Sequence, residues 1–482
     1  MNQSVSRNFA FIATSNLLAP MFSLVLVLAI GRIQGVEVLG KYSLLMSIFV
    51  FGMSAAGFGL PLVITREVAQ APCEAGRWFV NAAALSMGLA VPFLAVAALV
   101  MEIRASDGQM ALALALAAFT VLPSAVTQCA EAVLLAHERA RDFVLINLGE
   151  TAVRAVIGTA LVLGGFGIVA IASLLLALRV ATALGFVLML RWRGVPVALR
   201  LDRRVLWRLA GYVPVTGLIP VVNALYARAD VFLLSSLGSW RDVGIYSAAL
   251  RLVDLARTIT PAYARAVYPR LARLRAAGAE LYNGAADRAT RDGLVLAIPI
   301  ALALYGGAEP LIRLLFGQAL VPAASILGIL AWTVIPFALA IVLAQVLFAA
   351  DRQAVDLGVN LVSMLVSVTV GVLLVPRFGA AGAAVAVLAA STVYSLLQYA
   401  GVVRWAAKLR IGPDVLRLTA ATAVALVGLW ASAWAGPIVA TLLALGLYGV
   451  GIAVLGLVPV GELRRRLGWR AAGPPGRERV AL

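Results

Sequence analysis

The chain has 482 residues, 63% of them hydrophobic and only 13% charged, about half the charge of an ordinary soluble domain. That composition excludes a soluble globular fold. The net charge of +17 has no folded polar surface on which to form a nucleic-acid groove. Two cysteines, Cys73 and Cys129, with a single histidine, His137, provide no metal-ligand spacing and no His-based catalysis. No metal site, cofactor or catalytic residue is expected.

A membrane-spanning helix needs about 20 apolar residues. In chain order, such stretches fall near 9–31, 42–64, 79–101, 110–136, 143–164, 167–190, 212–237 and 244–268, then 293–316, 321–349, 357–376, 378–403, 414–435 and 437–459. The pattern predicts an all-α polytopic membrane protein of about fourteen helices. The polar Met1–Asn8 leads into the first stretch without a small-residue cleavage site, which predicts a retained helix and not a signal peptide.

Arg and Lys in short loops stay on the cytoplasmic side. Of the 39 basic residues, 28 lie at the termini or after even-numbered helices, six on the opposite side and five inside helices. Both termini are therefore expected in the cytoplasm. The densest groups are Arg191 to Arg208, Arg265 to Arg291, and Arg464 to Arg466 in the tail; they read as solvated loops touching anionic lipid.

Rarer residues recur at a nearly fixed offset. Asn16, Gly31 and Pro92 return 207 residues later as Asn223, Gly238 and Pro299. Gly40-Lys-Tyr42-Ser43 returns 204 later as Gly244-Ile-Tyr246-Ser247. Pro123, Glu138-Arg139 and Asn147 return 213 later as Pro336, Asp351-Arg352 and Asn360, and Phe166-Gly167 returns 212 later as Phe378-Gly379. Helices one to six thus correspond to seven to twelve, in two six-helix lobes related by a pseudo-twofold axis along the membrane normal, a transporter architecture. The expected divisions are 1–204, 205–410, and 411–482 with two extra helices and the basic tail. Pro20, Pro61, Pro123, Pro220, Pro261 and Pro336 are candidate bends.

The five arginines inside helices are Arg154, Arg179, Arg228, Arg251 and Arg257. Each costs at least ~2.5 kcal/mol at a bilayer centre, so each needs a partner or a function. Glu150 is one turn from Arg154, Asp230 is beside Arg228, and Asp254 lies between Arg251 and Arg257 within a 120° arc. Glu131 is a further acid. Five cations against four acids leave a positive surplus suited to a hydrated cavity that receives an anion. Arginine binds phosphate oxygens two at a time and stays charged when desolvated. Under the offsets above, none of the four arginines Arg154, Arg179, Arg228 and Arg251 has a charged counterpart, so these charges are not part of the duplicated scaffold.

Gly35-Val-Glu-Val-Leu-Gly40-Lys-Tyr42-Ser43, Gly57-Phe-Gly-Leu60, Thr65-Arg66-Glu67-Val68-Ala69, Arg228-Ala-Asp230 and Val243-Gly244-Ile-Tyr246-Ser247 resemble the bacterial polysaccharide biosynthesis membrane proteins. These are the lipid-linked oligosaccharide flippases, of O-antigen or exopolysaccharide type, of the multidrug/oligosaccharidyl-lipid/polysaccharide (MOP) exporter superfamily. The resemblance covers roughly residues 1 to 410. It implies a MATE-like fold with a V-shaped cavity in the bacterial cytoplasmic membrane, and movement of an undecaprenyl-pyrophosphate-linked glycan to the outer leaflet. The Asp-Ala-Phe and Pro-Asn signature of the lipid II flippase is absent after helix one, which disfavours that substrate.

The expected function is therefore a flippase. Arg154, Arg179, Arg228, Arg251 and Arg257 would contact the anionic headgroup, and Asp230 and Asp254 would orient arginines. Asp254 or Glu150 is a candidate for coupling to H+ or Na+. Expected partners are the lipid-linked oligosaccharide, membrane lipids and polysaccharide polymerase or assembly proteins. A multidrug/cation antiporter of the same superfamily would prefer an acid-rich pocket. A membrane-embedded glycan polymerase or glycosyltransferase would need catalytic groups on a large outer loop, and the expected outer loops are about ten residues or fewer.

Overall fold

The computed structural model describes residues 18–104, 107–197 and 200–457. The start of the first expected helix, Asn16, and Arg464 to Arg466 lie outside the described residues. Helices account for nearly all of the remainder, with no strand among the described residues. They are α1 (Leu18–Gln34), α2 (Val36–Gly57), α3 (Leu60–Gln70), α4 (Ala75–Arg104), α5 (Gly108–Phe119), α6 (Val121–Ala136), α7 (Ala140–Leu163) and α8 (Ile168–Trp192). Then come α9 (Arg203–Thr216), α10 (Leu218–Leu237), α11 (Trp240–Arg257), α12 (Ile259–Ala277), α13 (Ala279–Gly306) and α14 (Ala308–Phe316). Last are α15 (Ala323–Ala331), α16 (Val334–Ala349), α17 (Gln353–Trp405), α18 (Gly412–Ala431) and α19 (Pro437–Val454).

Among the described residues, ten helical stretches are long and apolar enough to cross a membrane. One of them, α17, is 53 residues long and folds back at Gly379, whose φ of 53° and ψ of −127° are not helical. The expected spans at 212–237 and 244–268 are not among the ten. They carry the charges Arg228, Asp230, Arg251, Asp254 and Arg257, which lower their apolarity.

Proline marks five of the breaks. Its ring clashes with the carbonyl four residues earlier and it has no N–H to donate. Pro61, Pro123, Pro220 and Pro261 each lie four residues after the last residue of a helix, namely Gly57, Phe119, Thr216 and Arg257. Pro336 follows the end of α15 by five, with Trp332 as the C-cap. In every case the proline then occupies the second or third position of the next helix, where a missing N–H costs nothing.

The recurring residues recur in conformation. Glu138 and Asp351 both adopt φ 57°, and Arg139 N–H donates to Leu134 O at 2.9 Å as Arg352 N–H does to Leu347 O at 3.0 Å. Thr120 and Thr333, also 213 apart, cap the breaks before α6 and α16 by donating their hydroxyls to Ala117 O and Leu330 O. Gly40 and Gly244 form the closest crossing. A Cβ on Gly40 would lie 2.1 Å from Trp240 O, and one on Gly244 would lie 1.9 Å from Val36 O. Each glycine meets the residue four before the other. Around this reciprocal crossing of α2 and α11, Leu39, Tyr42 and Leu45 pack with Tyr246, Ala249 and Val253 in one core.

The segment joining the two halves is fastened to the first. Gly76 lies against Pro196 O, and Asn81 Oδ1 accepts the Asp202 N–H at 2.7 Å. Arg77 donates to the Asp202 carboxylate at 2.5 Å while Asp202 caps α9 through Arg204 N–H. The Arg77 guanidinium, with those amides, holds the Asp202 carboxyl below the ordinary carboxylate range. At the opposite end, Arg32 of α1 donates from Nε to Leu315 O at 2.7 Å and from Nη2 to Leu314 O. It thereby caps the last carbonyls of α14. Helices α18 and α19 pack on each other and on α13 through Leu418, Ala425, Ala444 and Tyr448 against Leu294 and Leu302.

Candidate functional site

In the first half, Arg179 of α8 is 3% exposed and fully engaged. Its Nη1 donates to Glu150 Oε2 at 2.6 Å and its Nε to Ser124 Oγ at 3.0 Å, while Nη2 lies 3.3 Å from Met53 Sδ. Arg154 pairs more loosely with the other oxygen of Glu150, at 3.8 Å. Both guanidiniums lie over Phe49, at 5.9 Å for Arg154 and 5.5 Å for Arg179, where the ring face attracts cations. Glu131 accepts Asn147 Nδ2–H at 2.9 Å. The expected pairing of Glu150 with Arg154 is present, but Arg179 is the nearer partner.

In the second half the pairing departs from expectation. Arg228 pairs with Asp254 at 3.8 Å and not with Asp230. The reason is helical geometry: residues two apart point to nearly opposite sides. Asp230 instead accepts the Tyr246 hydroxyl and, at 2.8 Å, the Val231 N–H. It pairs with no arginine among the described residues, so it does not orient one. Arg257, at the end of α11, turns away from Asp254. It donates to Thr333 Oγ1 at 2.5 Å and lies 4.9 Å from the centre of the Phe337 ring. Arg251, Asp254 and Arg257 thus share α11 but not a common partner: Asp254 pairs with Arg228 and Arg257 with Thr333.

Arg251 is the uncommitted cation. Among the described residues it makes no ion pair or hydrogen bond, and its electrostatic neighbours are Tyr42, Arg228, Asp254 and Arg154. It therefore lies between the arginines of the two halves, beside the α2–α11 crossing. The Nε groups of Arg228 and Arg257 are also buried without partners. A void of about 210 Å³ opens beside Arg154, Tyr42 and Met46, and one of about 170 Å³ beside Asp230 and Ser367. Both are smaller than the ~300 Å³ at which ligand clefts begin.

Several residues of this neighbourhood were not singled out from sequence. Ser124, Met53 and Phe49 hold Arg179, and the Tyr246 hydroxyl was hidden inside a scaffold motif. Glu67, in the Thr65-Arg66-Glu67 run, is buried and receives Arg66 at 2.8 Å and Arg208 at 2.9 Å. That contact ties α3 to α9.

Solved structures share this fold. The lipid II flippase MurJ in an inward closed conformation matches with a TM-score of 0.75 at 14% identity, over 95% of this chain and 99% of that one. An inward-facing multidrug resistance MATE transporter of the MOP superfamily matches with a TM-score of 0.65 at 16% identity, over 80% of this chain and 96% of the other. The eukaryotic MATE transporter AtDTX14 gives 0.61 at 16% identity, over 83% and 95%. No curated protein is significantly similar in sequence. The lipid II flippase MurJ family profile matches residues 232–458. The polysaccharide biosynthesis protein profile matches residues 27–325, well over half of the chain. The chain is thus a multi-pass membrane protein with the fold of these flippase and MATE structures, and it belongs to the polysaccharide biosynthesis protein family.

Proposed function

We propose that this protein is a flippase that carries a polyprenyl-pyrophosphate-linked oligosaccharide across the bacterial cytoplasmic membrane by alternating access. The single observation that carries the reading is Arg251, a cation with no ion pair, positioned between Arg154 and Arg228. A guanidinium inside a bilayer without a counter-charge is costly unless an anion visits it. Pyrophosphate matches its paired donors. Arg251, Arg154 and Arg228 take the headgroup, while Arg179 positions Arg154 by fixing Glu150. Arg257, with its free Nε, is the fifth arginine of the site. The lobes are residues 1–204 and 205–410, with 411–482 appended, and both termini face the cytoplasm. The reciprocal Gly40–Gly244 crossing and the paired Glu138 and Asp351 caps support that division. Asp254, loosely paired and 37% exposed in its side chain, is a better coupling group than Glu150, which Arg179 occupies. Polymerase and assembly proteins would receive the product.

The test is a deletion strain in which lipid-linked glycan is extracted and its leaflet read with an impermeant sugar-modifying reagent. Arg251→Ala is expected to leave at least ten-fold more glycan trapped inside than wild type, with protein abundance within two-fold. Normal export by Arg251→Ala at normal abundance would sink the headgroup assignment. Normal glycan distribution in the deletion strain, with hypersensitivity to cationic drugs, would favour the antiporter.

A further inference from the structure

Away from the five arginines of that site, two other guanidiniums share one carboxylate where α9 meets the first half. Glu67 of α3 is buried. Its Oε1 receives Arg66 Nη2 at 2.8 Å and its Oε2 receives Arg208 Nη2 at 2.9 Å. Both arginines remain about half exposed, at 51% and 56% of their side chains. Each is also laid on an aromatic ring, Arg66 at 5.1 Å from the centre of Tyr212 and Arg208 at 5.4 Å from that of Trp78. The Tyr212 hydroxyl accepts from Arg66 Nη2 at 2.9 Å and has Arg208 beside it as well. Nε and Nη1 of Arg66 have no partner among the described residues.

The group stands at the boundary of the membrane. Trp78 lies near the start of the apolar span Pro72–Ala95, and Trp192 ends the span Ile168–Trp192. Trp192 is 75% exposed, and Leu201 and Trp207, before and on α9, are 65% and 68% exposed. Exposed indoles mark the headgroup level of a bilayer. Arg204, one turn before Arg208 on the same face of α9, is exposed and forms no ion pair among the described residues. The nearby acids Glu74 and Asp202 are both taken by Arg77, so Glu67 alone offsets these arginines. The arrangement belongs to one half: 207 residues on, Arg66 recurs as the exposed Arg273, but Glu67 becomes Leu274.

We propose that Arg66, Arg208 and Tyr212 form a binding site for the phosphodiester of an anionic phospholipid, in the leaflet that the arginine distribution assigns to the cytoplasm. Two guanidiniums against one carboxylate leave one positive charge, which matches the single negative charge of a phosphodiester. A pyrophosphate carries more charge and is better served by Arg154, Arg228 and Arg251. Guanidiniums bind phosphate oxygens through a planar fork and stay charged when desolvated. Stacking on Tyr212 and Trp78 fixes both planes before the lipid arrives, so little side-chain freedom is lost on binding. The ligand is a lipid and not soluble phosphate because the exposed Trp207 and Leu201 offer apolar surface that only a membrane component can cover. Arg204 adds a cation at the rim, which disfavours a choline headgroup. A lipid held here fastens α9, the segment that leads from the first half into the second, to the leaflet.

The experiment uses the full chain in detergent micelles, titrated with phosphatidylglycerol, phosphatidylcholine or undecaprenyl phosphate, with bound lipids counted by native mass spectrometry. Wild type is expected to hold its first phosphatidylglycerol at least ten-fold more tightly than phosphatidylcholine, and more tightly than undecaprenyl phosphate. Arg66→Gln should weaken that first phosphatidylglycerol at least five-fold. Glu67 keeps Arg208 in this variant, so the α3–α9 contact survives. Tyr212→Phe keeps the ring under Arg66 but removes a hydroxyl donor, and should weaken binding at least two-fold. Arg273→Gln removes the same charge from the corresponding place in the second half and should change binding less than two-fold. Equal losses in Arg66→Gln and Arg273→Gln would mean diffuse attraction to a basic surface and overturn the site. So would wild-type affinity in monodisperse Arg66→Gln, no preference over phosphatidylcholine, tighter binding of undecaprenyl phosphate, or full displacement of the lipid by millimolar inorganic phosphate. The readout is lipid retention, so it stands or falls separately from the glycan reading.

Discussion

Replacing Gly40 or Gly244 with valine is expected to remove most folded protein from the membrane, and by similar amounts at the two positions. The atoms that a side chain would meet are backbone carbonyls, Trp240 O at 2.1 Å and Val36 O at 1.9 Å. Neither can rotate away as a side chain could. Overpacking in a tight interior costs about 1–3 kcal/mol where neighbours can shift, and more where they cannot. Relief would require α2 and α11 to separate, and the core of Tyr42, Leu45, Tyr246 and Val253 would open with them. Even Gly→Ala should be costly here, unlike at Gly88 or Gly185, where a Cβ would meet nothing within 4 Å. Yield of monodisperse protein from detergent gel filtration checks this. Gly40→Val with wild-type yield would mean that the helices do not cross so closely.

Arg179→Ala is expected to lower stability by about 3–5 kcal/mol, the usual cost of removing one partner of a buried ion pair. Glu150 would keep only Arg154, 3.8 Å away, and Ser124 Oγ would lose its guanidinium. Glu150→Ala should cost a similar amount by freeing two arginines. Substituting both, Arg179→Met with Glu150→Leu, should cost less than the sum of the single changes, because no orphan carboxylate remains. Heating detergent-solubilised variants and measuring the fraction that stays monodisperse reads the coupling. Full additivity would show that the 2.6 Å contact contributes nothing. The same measurement separates Arg179 from Arg251: loss of export through Arg179→Ala should come with lost protein, and loss through Arg251→Ala should not.

Much of the architecture was legible because it depends on residues with local rules. Proline dictates where helices break, and the prolines at 123 and 336 fell at one offset and produced matching breaks. Glu138 and Asp351 were legible as a recurring pair, but their positive φ was not, since acidic residues are only modestly favoured there. The surplus of arginine was countable in sequence. Which arginine is surplus was not, because ion pairs form across helices: Glu150 with Arg179, and Asp254 with Arg228. Asp230 was misassigned because adjacency in sequence is not adjacency on a helix. The Arg66, Arg208 and Tyr212 group lay across two helices, with Arg66 and Tyr212 146 positions apart. Arg66 and Arg208 were each legible, in a motif and in a basic run, but neither run pointed to the other.

The Arg32 contact constrains how the cycle can be driven. A guanidinium and a pair of peptide carbonyls have no proton to lose or gain in any physiological range, so the clasp between α1 and α14 has the same strength at every pH the cell meets. Proton binding elsewhere can open that end only by pulling against it, never by dissolving it. Ionic strength, by contrast, acts on an exposed cation facing a helix end, because counter-ions screen charges over about 8–10 Å at physiological salt. Distances measured between spin labels on α1 and α14 should therefore lengthen in high salt and stay unchanged across pH 5 to 8, roughly the range in which histidine and coupling carboxylates titrate. A pH-driven opening that is present in Arg32→Gln and absent in wild type would identify this one side chain as what sets the threshold for opening that end.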